Sequence, residues 1–269
     1  MNAFLEIHRG TAPLVVVFPH TGTELPSELD NAFVSPWLAR KDTDWWIDRV
    51  YGFAHELGAT TVRTRLSRSV IDCNRDPSGA SLYPGQTTTG LCPVESFDGE
   101  PLYAGMTPSQ AEIERRRAAY FDPYHAALSE ELHRLRAHHP KVVLYDAHSI
   151  RSHVPRLFDG ELSQFNIGTN SGAACALALA DAVQSICTAS GHSVVRDGRF
   201  KGGWTTRHYG CPEQGVHAIQ MELAIRGYHR EPVVPGPDNW PGEFDPGFAA
   251  PLAATLSDIL KACLAFADR

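Results

Sequence analysis

The chain alternates short apolar runs with stretches in which apolar residues recur every three or four positions. Apolar runs predict five strands, near residues 14–18, 60–65, 141–145, 192–196 and 216–223. Helical spacing predicts four helices, at about residues 42–57, 107–138, 171–190 and 247–267. Strands that alternate with helices indicate an α/β protein, with a mixed, largely parallel sheet between two helical layers.

The segments between these elements are polar or rich in glycine and proline. A Gly/Pro-rich stretch covers residues 77–106, a polar loop runs to about residue 170, and a glycine-rich loop follows the strand at 192–196. The segment 230–246 contains five prolines, which predicts an irregular surface excursion. Too little chain follows it for a second domain, so we expect one domain over residues 1–269.

Charge and composition restrict the class of partner. The 24 Lys and Arg residues face 31 Asp and Glu residues, for a net charge of −7, and the basic residues form no block. This balance argues against nucleic acid and anionic membrane as partners but leaves room for a small anion. We find no 18-residue apolar stretch and no signal-peptide pattern, so we expect a cytoplasmic protein without a membrane span. The oligomeric state has no signature in the sequence.

The six cysteines are scattered and form no CxxC pair. That distribution favours reduced, mostly buried thiols over a disulfide framework or a thiolate zinc site.

Two predicted strands end in residues suited to metal binding. His20 follows the strand at 14–18, while Asp146 and His148 stand two positions apart at the end of the strand at 141–145. Open α/β sheets bind ligands at the carboxyl ends of their strands, and a neutral imidazole is the commonest metal ligand. We interpret His20 and His148 as ligands of one divalent ion, with zinc expected and Co²⁺, Mn²⁺ or Fe²⁺ also compatible. Asp146 is expected to orient a ligating imidazole.

The third ligand has two candidates in the sequence. Glu24 lies four residues after His20, and Asp44 lies near the start of the helix predicted at 42–57. Either carboxylate is chemically suitable. Asp44 also has a structural alternative, because an aspartate in the first helical turn satisfies backbone donors.

Cationic and acidic residues elsewhere suggest a binding site for a carboxylate. Arg68, Asn74 and Arg75 lie together just before the Gly/Pro-rich stretch, and Arg207 lies in the glycine-rich loop. A guanidinium offers a planar fork that matches a carboxylate, although a solvated or structural role is an equal alternative for these arginines. Glu222 lies inside an apolar strand, where burial raises a carboxyl pKa towards that of a general base. A buried structural glutamate paired with an arginine is its alternative.

Taken in order, these motifs resemble the N-formylglutamate amidohydrolase family, whose fold is related to zinc carboxypeptidases and aspartoacylases. The resemblance covers roughly residues 10–230, and it rests on the segments Pro19–Pro26, Asp42–Trp45, Ser67–Arg75, Asp146–Ile150, Asn166–Asn170 and Gly202–Gly210. It implies metal-dependent hydrolysis of N-formyl-L-glutamate to formate and L-glutamate, a reaction of histidine degradation. The implied partner is therefore a small dicarboxylate substrate.

The resemblance also implies roles for individual residues. His20 and His148 resemble the two histidine ligands, and Glu222 resembles the glutamate that activates the attacking water. Asn74 and Arg75 resemble the pair that grips a substrate carboxylate.

The same resemblance implies a catalytic role for one arginine and ranks the two candidates for the acidic metal ligand. Arg68 resembles an arginine that steadies the oxyanion. Carboxypeptidase-like enzymes have His-x-x-Glu, whereas this chain has Thr23 at that spacing and Glu24 one step later. Relatives in the family have His-Ala-Ser-Asn there and keep an aspartate that matches Asp44, which ranks Asp44 above Glu24.

A substrate with two carboxylates needs at least two cationic forks besides the metal. Arg75 and Arg207 are the expected pair, with Arg68 shared between binding and catalysis. Two alternatives remain open: a deacylase of another N-acyl amino acid, as in aspartoacylases, and a non-catalytic protein that binds a dicarboxylate through its arginines.

Overall fold

A central seven-stranded sheet organises the computed structural model, which describes residues 3–29, 31–82 and 85–269. The strands in chain order are β1 Leu5–His8, β2 Leu14–Phe18, β3 Thr60–Thr64, β4 Val142–Ile150, β5 Phe165–Gly168, β6 Val194–Arg196 and β7 Val216–Ala224. Their order across the sheet is β1-β3-β2-β4-β7-β5-β6.

The central strands β3, β2, β4 and β7 run parallel. At one edge β1 pairs antiparallel with β3, and at the other β5 and β6 run parallel to each other but antiparallel to β7. All residues of β2 and β4 are buried, as expected for parallel strands covered on both faces. The prediction of a mixed, largely parallel sheet is confirmed.

Helices cover both faces of the sheet. They are α1 Ile47–Val50, α2 Gln110–Arg116, α3 Asp122–Arg136, α4 Leu177–Ala189, α5 Trp204–Tyr209 and α6 Pro246–Ala267. A π-helical segment, Arg117–Phe121, joins α2 to α3. Short 3₁₀ turns lie at Ser27–Leu29, Leu38–Arg40, Gly52–His55, Pro212–Gln214 and Ile225–Gly227.

The two faces of the sheet bury separate apolar clusters. One cluster lies under α4 and α6 and includes Val143, Tyr145, Val183, Leu256 and Ile259. The other lies under α3 and includes Val15, Leu128, Leu132, Val142 and Leu144. Side chains alternate along a strand, so Asp146 and His148 project to the same face as Leu144, at the carboxyl end of β4. The three-layer α/β/α prediction holds.

The helix α6 corrects one expectation from the sequence. By length and composition alone, Pro246–Ala267 is apolar enough to cross a membrane, although we found no such stretch in the sequence. In the structure, Leu252, Leu256 and Ile259 are fully or almost fully buried against the sheet. Packing of one face into the core accounts for this composition.

The largest local error concerns the helix predicted at 42–57. Only α1, with four residues, and the turn Gly52–His55 are helical there. Asp44 donates its backbone N–H to the carbonyl of His20 at 3.0 Å, and Trp46 takes a left-handed φ of 66°. The contact with His20 draws Asp44 towards the strand ends, and the left-handed Trp46 interrupts the helical path, so that α1 begins only at Ile47.

Other boundaries shift for local reasons. The helix predicted from Thr107 begins at Gln110, because Ser109 accepts a hydrogen bond from Glu112 N and caps it. The strand predicted at 141–145 continues to Ile150. Strand β5 and helix α5 lie in segments predicted as irregular, and β1 lies before the first predicted strand, where no element was predicted. Each is short, with four to six residues, which leaves little periodicity to detect.

All six cysteines are free, and five of them are buried, which confirms the prediction of reduced thiols.

Candidate active site

The candidate site lies where the parallel strands β2, β4 and β7 end. His20 follows β2 by two residues, and His148 lies within the last three residues of β4. In the strand register Glu222 of β7 stands beside His148, and Gln220 stands beside Asp146. The sheet therefore brings residues that are up to 202 positions apart to one edge.

Three of these side chains form a group able to hold a metal ion. The ligand atoms of His20, Asp44 and His148 all lie within 4.8 Å of one another, and all three residues are buried. The Oδ2 atom of Asp44 lies 3.2 Å from His148 Nδ1 and 3.7 Å from His20 Nδ1. Two ligands bound about 2 Å from a tetrahedral zinc ion stand about 3.3 Å apart, so this donor set fits such an ion.

His20 carries a further sign of a metal position. Its Nδ1 atom is buried and has no hydrogen-bond partner among the residues that the structure describes. A buried polar atom without a partner costs free energy, so such an atom calls for an explanation. Coordination of a cation by His20 Nδ1 supplies one.

Carboxylates hold the far side of each imidazole. Asp72 Oδ1 lies 2.7 Å from His20 Nε2, and Asp146 Oδ1 lies 2.8 Å from His148 Nε2. With Nε2 protonated, each imidazole donates to its aspartate and presents Nδ1 to Asp44. Such partners fix the tautomer and orientation of ligating histidines. The sequence predicted this arrangement for Asp146, while Asp72 was not singled out.

Asp44 is held by neighbours on three sides. Ser149 N donates to Oδ2 at 3.0 Å, and Arg68 Nη1 donates to Oδ1 at 3.3 Å. Burial acts to raise the pKa of Asp44, but the hydrogen bond with His148 and the nearby charges of both histidines outweigh it and lower that pKa. Asp44 is therefore ionised at neutral pH, as a metal ligand must be.

Charge in the site favours a cation at the histidines. Burial acts to lower the pKa of His148, yet Asp146 and Asp44 raise it well above its ordinary value. Burial likewise acts to raise the pKa of Asp72, but Arg75, His20 and Arg68 hold it well below its ordinary value. Asp44 and Asp72 thus stay ionised and stabilise positive charge, whether a proton or a metal ion carries it.

Glu24, the other candidate for the acidic ligand, lies outside this group. Its carboxylate forms an ion pair with Arg65 and is nearly half exposed. Its backbone instead bonds to the chain around Arg65 and Ser67, which docks the segment after His20 onto the neighbouring loop. The geometry therefore brings Asp44, and not Glu24, to the two histidines.

Glu222 lies in the pocket beside the metal group. Its side chain is almost fully buried and accepts a hydrogen bond from Gln220 Nε2 at 3.1 Å. Burial raises the pKa of Glu222 to about 7, with His148 acting to lower it and Asp44 to raise it. A carboxylate with a pKa near neutrality is suited to take up and release a proton at neutral pH.

Arg68, Asn74 and Arg75 all line the same pocket as His20, His148 and Glu222. Arg68 Nη2 donates to Asp72 at 2.8 Å, and its guanidinium lies 4.9 Å from the ring centre of Phe97. Arg75 donates to the carbonyl and to the hydroxyl of Thr89, each at 3.0 Å. The sequence prediction that these side chains share a site with the histidines agrees with their positions.

Asn74 links the end of β4 to the start of helix α5. Its Nδ2 donates to Asp146 at 3.1 Å, and its Oδ1 accepts from Thr205 N at 2.7 Å. Gly203 lies so close that an added Cβ would stand 2.5 Å from Asn74 Nδ2. Glycine at position 203 therefore allows α5 to approach Asn74 and hold its amide in place.

Arg207 does not line this pocket and lies on α5, where its Nε donates to the carbonyl of Gly202 at 2.8 Å. Arg199 lines it instead, together with Phe200, Leu157 and the three threonines at 87–89. Neither Arg199 nor these threonines were singled out in the sequence. The only sequence feature that could have indicated Arg199 is an arginine in a glycine-containing loop. Arg207 shares this feature, so it does not distinguish the two.

Comparison with known proteins gives one family. Residues 12–229 match the N-formylglutamate amidohydrolase family. A protein named N-formylglutamate deformylase from Pseudomonas aeruginosa is 46% identical over 268 residues, covering 99% of this chain and 98% of that protein. One of the same name from Pseudomonas putida is 43% identical and covers 99% of this chain and 97% of its own length.

Solved structures show the same fold. The crystal structure of N-formylglutamate amidohydrolase from Ralstonia eutropha has a TM-score of 0.77 and 26% identity, covering 98% of this chain and 97% of that one. A gene product from Agrobacterium tumefaciens has a TM-score of 0.71 at 19% identity, covering 98% of this chain and 96% of its own. The second likeness bears on the fold alone.

Proposed function

The chain belongs to the N-formylglutamate amidohydrolase family, and we propose that it hydrolyses N-formyl-L-glutamate to formate and L-glutamate with the help of a divalent metal ion. The observation that supports this most directly is the group His20, Asp44 and His148, which lies beside Glu222 at the strand ends. Two imidazoles and one carboxylate form a typical catalytic zinc set that leaves a position open.

His20, Asp44 and His148 would hold the ion. A divalent cation held there would supply Lewis acidity, which would polarise the formyl oxygen and lower the pKa of a water molecule, so that no protein nucleophile would be needed. Asp72 and Asp146 keep the two imidazoles in the ligating tautomer.

Glu222 acts as the general base and then as the general acid. Its carboxylate accepts a proton from the attacking water and passes it to the amide nitrogen as the C–N bond breaks. A pKa of about 7 suits both steps, because the group then gains and loses a proton at little cost at neutral pH. Gln220, which donates to the Glu222 carboxylate, holds it in position.

Arg68 and the pair Asn74 and Arg75 act on the substrate. Arg68 is aimed by Asp44 and Asp72 and stabilises the negative charge that develops on the formyl oxygen. One preorganised donor of this kind is typically worth about 3 to 4 kcal/mol in activation free energy. Asn74 and Arg75 bind the α-carboxylate, which lies two bonds from the amide nitrogen.

Product analysis with defined substrates tests this proposal. We expect the zinc-loaded protein to release formate and glutamate in equal amounts from N-formylglutamate, and little acetate from N-acetylglutamate. Acetate release at an equal rate would indicate a deacylase of other N-acyl amino acids. A protein that binds no metal and stays inactive after addition of zinc, cobalt or manganese would be a dicarboxylate-binding protein instead.

A further inference from the structure

One part of the pocket wall takes no part in the chemistry described so far. Arg199 and Phe200 follow β6, and they line the pocket together with Leu157 and Thr87. We infer that Arg199 binds the side-chain carboxylate of the substrate and thereby makes the enzyme selective for formylated dicarboxylic amino acids. The inference rests on the proposed function, because it assigns a second contact to the same substrate.

Arg75 is tied to the reacting end of the pocket. Its Nη1 donates to the carbonyl of Asn74 at 3.1 Å, and its Nη2 lies 3.6 Å from Asp72. Asn74 in turn contacts His148, and Asp72 contacts His20. A single residue therefore separates Arg75 from each histidine in space: Asn74 on the His148 side and Asp72 on the His20 side. This position suits the carboxylate nearest the amide bond.

Arg199 is tied to the outer loops. Its Nε donates to the carbonyl of Leu157 at 2.9 Å, and its Nη2 donates to the carbonyl of Thr87 at 2.8 Å. Its guanidinium carbon lies 5.4 Å from the ring centre of Phe200. These contacts orient a planar fork before any ligand arrives, which reduces the entropy lost on binding.

The two arginines are anchored on the same short segment of the pocket wall. Arg75 is anchored on Thr89 and Arg199 on Thr87, and residues two positions apart lie at most about 7 Å apart along the chain. The two carboxyl carbons of an extended glutamate are joined by four C–C bonds and lie about 5 Å apart. A single substrate can thus place one carboxylate near each anchor.

The charge of the wall points the same way. Besides the two histidines, the basic side chains among the described residues that line the pocket are Arg68, Arg75 and Arg199, and the one carboxylate is Glu222. Arg68 is held between Asp44 and Asp72 beside the metal group. Arg199 therefore supplies the positive charge at the outer end of the pocket. A substrate with an apolar side chain would have no group there to pair with this charge.

The test compares two substrates that differ in charge and hardly in shape. N-formylglutamine carries a carboxamide where N-formylglutamate carries its side-chain carboxylate. In Arg199→Gln we expect kcat/KM for N-formylglutamate to fall about 100-fold, mainly through KM, while N-formylglutamine changes by less than about threefold. The preference of the wild type for N-formylglutamate should therefore collapse.

Two further variants separate binding from loop structure. Arg196→Gln changes an arginine three residues earlier that pairs with Asp181 on α4, and it should keep the wild-type preference. Arg199→Lys keeps the positive charge and should retain part of the preference for N-formylglutamate. Equal losses on both substrates in Arg199→Gln, with Arg199→Lys behaving alike, would assign Arg199 a structural role and overturn the inference. An unchanged preference would overturn it as well.

The proposed function fails in a different way. A folded, metal-loaded wild type that releases no formate from either substrate refutes the activity itself. If Arg199→Gln instead prefers N-formylglutamate as strongly as the wild type does, only the role of Arg199 is refuted. Calorimetric titration with glutamate and glutamine gives a readout independent of turnover. Arg199→Gln should weaken binding of glutamate and leave that of glutamine unchanged.

Discussion

The two ends of the pocket are built in different ways. At the reacting end, His148 and Glu222 lie on neighbouring strands, and every side chain of the metal group is buried. At the recognition end, Arg75 and Arg199 lie in loops, are partly exposed and bond mainly to backbone carbonyls and a threonine hydroxyl. Under the proposed mechanism the chemistry thus depends on the sheet, and the choice of substrate depends on loops.

The difference follows from what each end must do. Ligands and a base need fixed positions, because a misplacement of about 1 Å can cost about 100-fold in rate. Strand pairing and the aspartates 72 and 146 supply that rigidity. Recognition of a carboxylate tolerates more freedom, and loops on a rigid scaffold can change without disturbing the core. Substitutions at the two ends should therefore alter different kinetic parameters.

Metal removal should have the largest effect at the reacting end. Dialysis against a chelator is expected to abolish turnover, and addition of zinc, cobalt or manganese to restore it, because the proposed chemistry depends on the cation. His148→Ala should lose both bound metal and activity, while the same change at the exposed His138 should lose neither. Full activity in chelator-treated protein with no detectable metal would contradict the metal site.

Glu222→Gln should come next. It keeps the shape of the side chain but removes the proton acceptor, so we expect kcat to fall by about 10³ to 10⁴ with KM little changed. Metal content, measured by atomic emission, should stay at the wild-type level. Glu231→Gln alters a partly buried glutamate outside this pocket and should retain turnover. Loss of the metal in Glu222→Gln would make Glu222 a ligand instead of a base.

The pH profile should report the same group. Burial raises the pKa of Glu222 to about 7, and the base works only when it is ionised. Below that pKa, kcat/KM should fall about tenfold per pH unit, since the ionised fraction of Glu222 falls by that factor. A bound cation lowers the pKa of a nearby carboxyl, so the midpoint in the loaded enzyme should lie at or below 7. The residual activity of Glu222→Gln should lack this acidic limb.

Asp72→Asn tests how far the reacting end depends on support. The substitution keeps the size of the side chain but weakens the hold on His20 Nε2 and removes a charge shared by Arg68 and Arg75. Loss of such partners typically costs about 10- to 100-fold in metal affinity or activity. Competition with a chromogenic chelator measures the affinity, and Asp146→Asn, which acts on His148, is the matched comparison. Unchanged affinity in both variants would show that the two histidines need no such support.

Much of this fold is visible in the sequence, because the buried central strands and the long helices carry strong periodicity. The strands at Leu14–Phe18 and Val216–Ala224 and the helix Pro246–Ala267 were predicted within a residue or two. The region after Lys41 was not, since the backbone of Asp44 makes a contact with His20 and Trp46 takes a left-handed φ. That contact joins distant segments and leaves no trace in local spacing.

The site divides in the same way. His20, His148 and Glu222 could be predicted because each is a polar side chain at or near the end of an apolar strand. Asp72 and Arg199 could not, because their roles depend on which loops meet over the strand ends. Arg207 was expected to bind a substrate carboxylate, but it lies on the short helix α5 and does not line the pocket.

Thr89→Val should have the smallest effect on activity. It tests whether a change at the recognition end alters KM without altering kcat. The change keeps the carbonyl that holds Arg75 Nε but removes the hydroxyl that accepts from Nη2. One such hydrogen bond is worth about 0.5 to 1.5 kcal/mol, so KM for N-formylglutamate should rise about two- to tenfold. The same change at Thr88, whose side chain does not hold Arg75, is the control. Because Thr89 touches neither the histidines nor Glu222, kcat should stay constant. A fall in kcat would mean that the loop and the strand ends move together, and that the recognition end also positions the amide bond for attack.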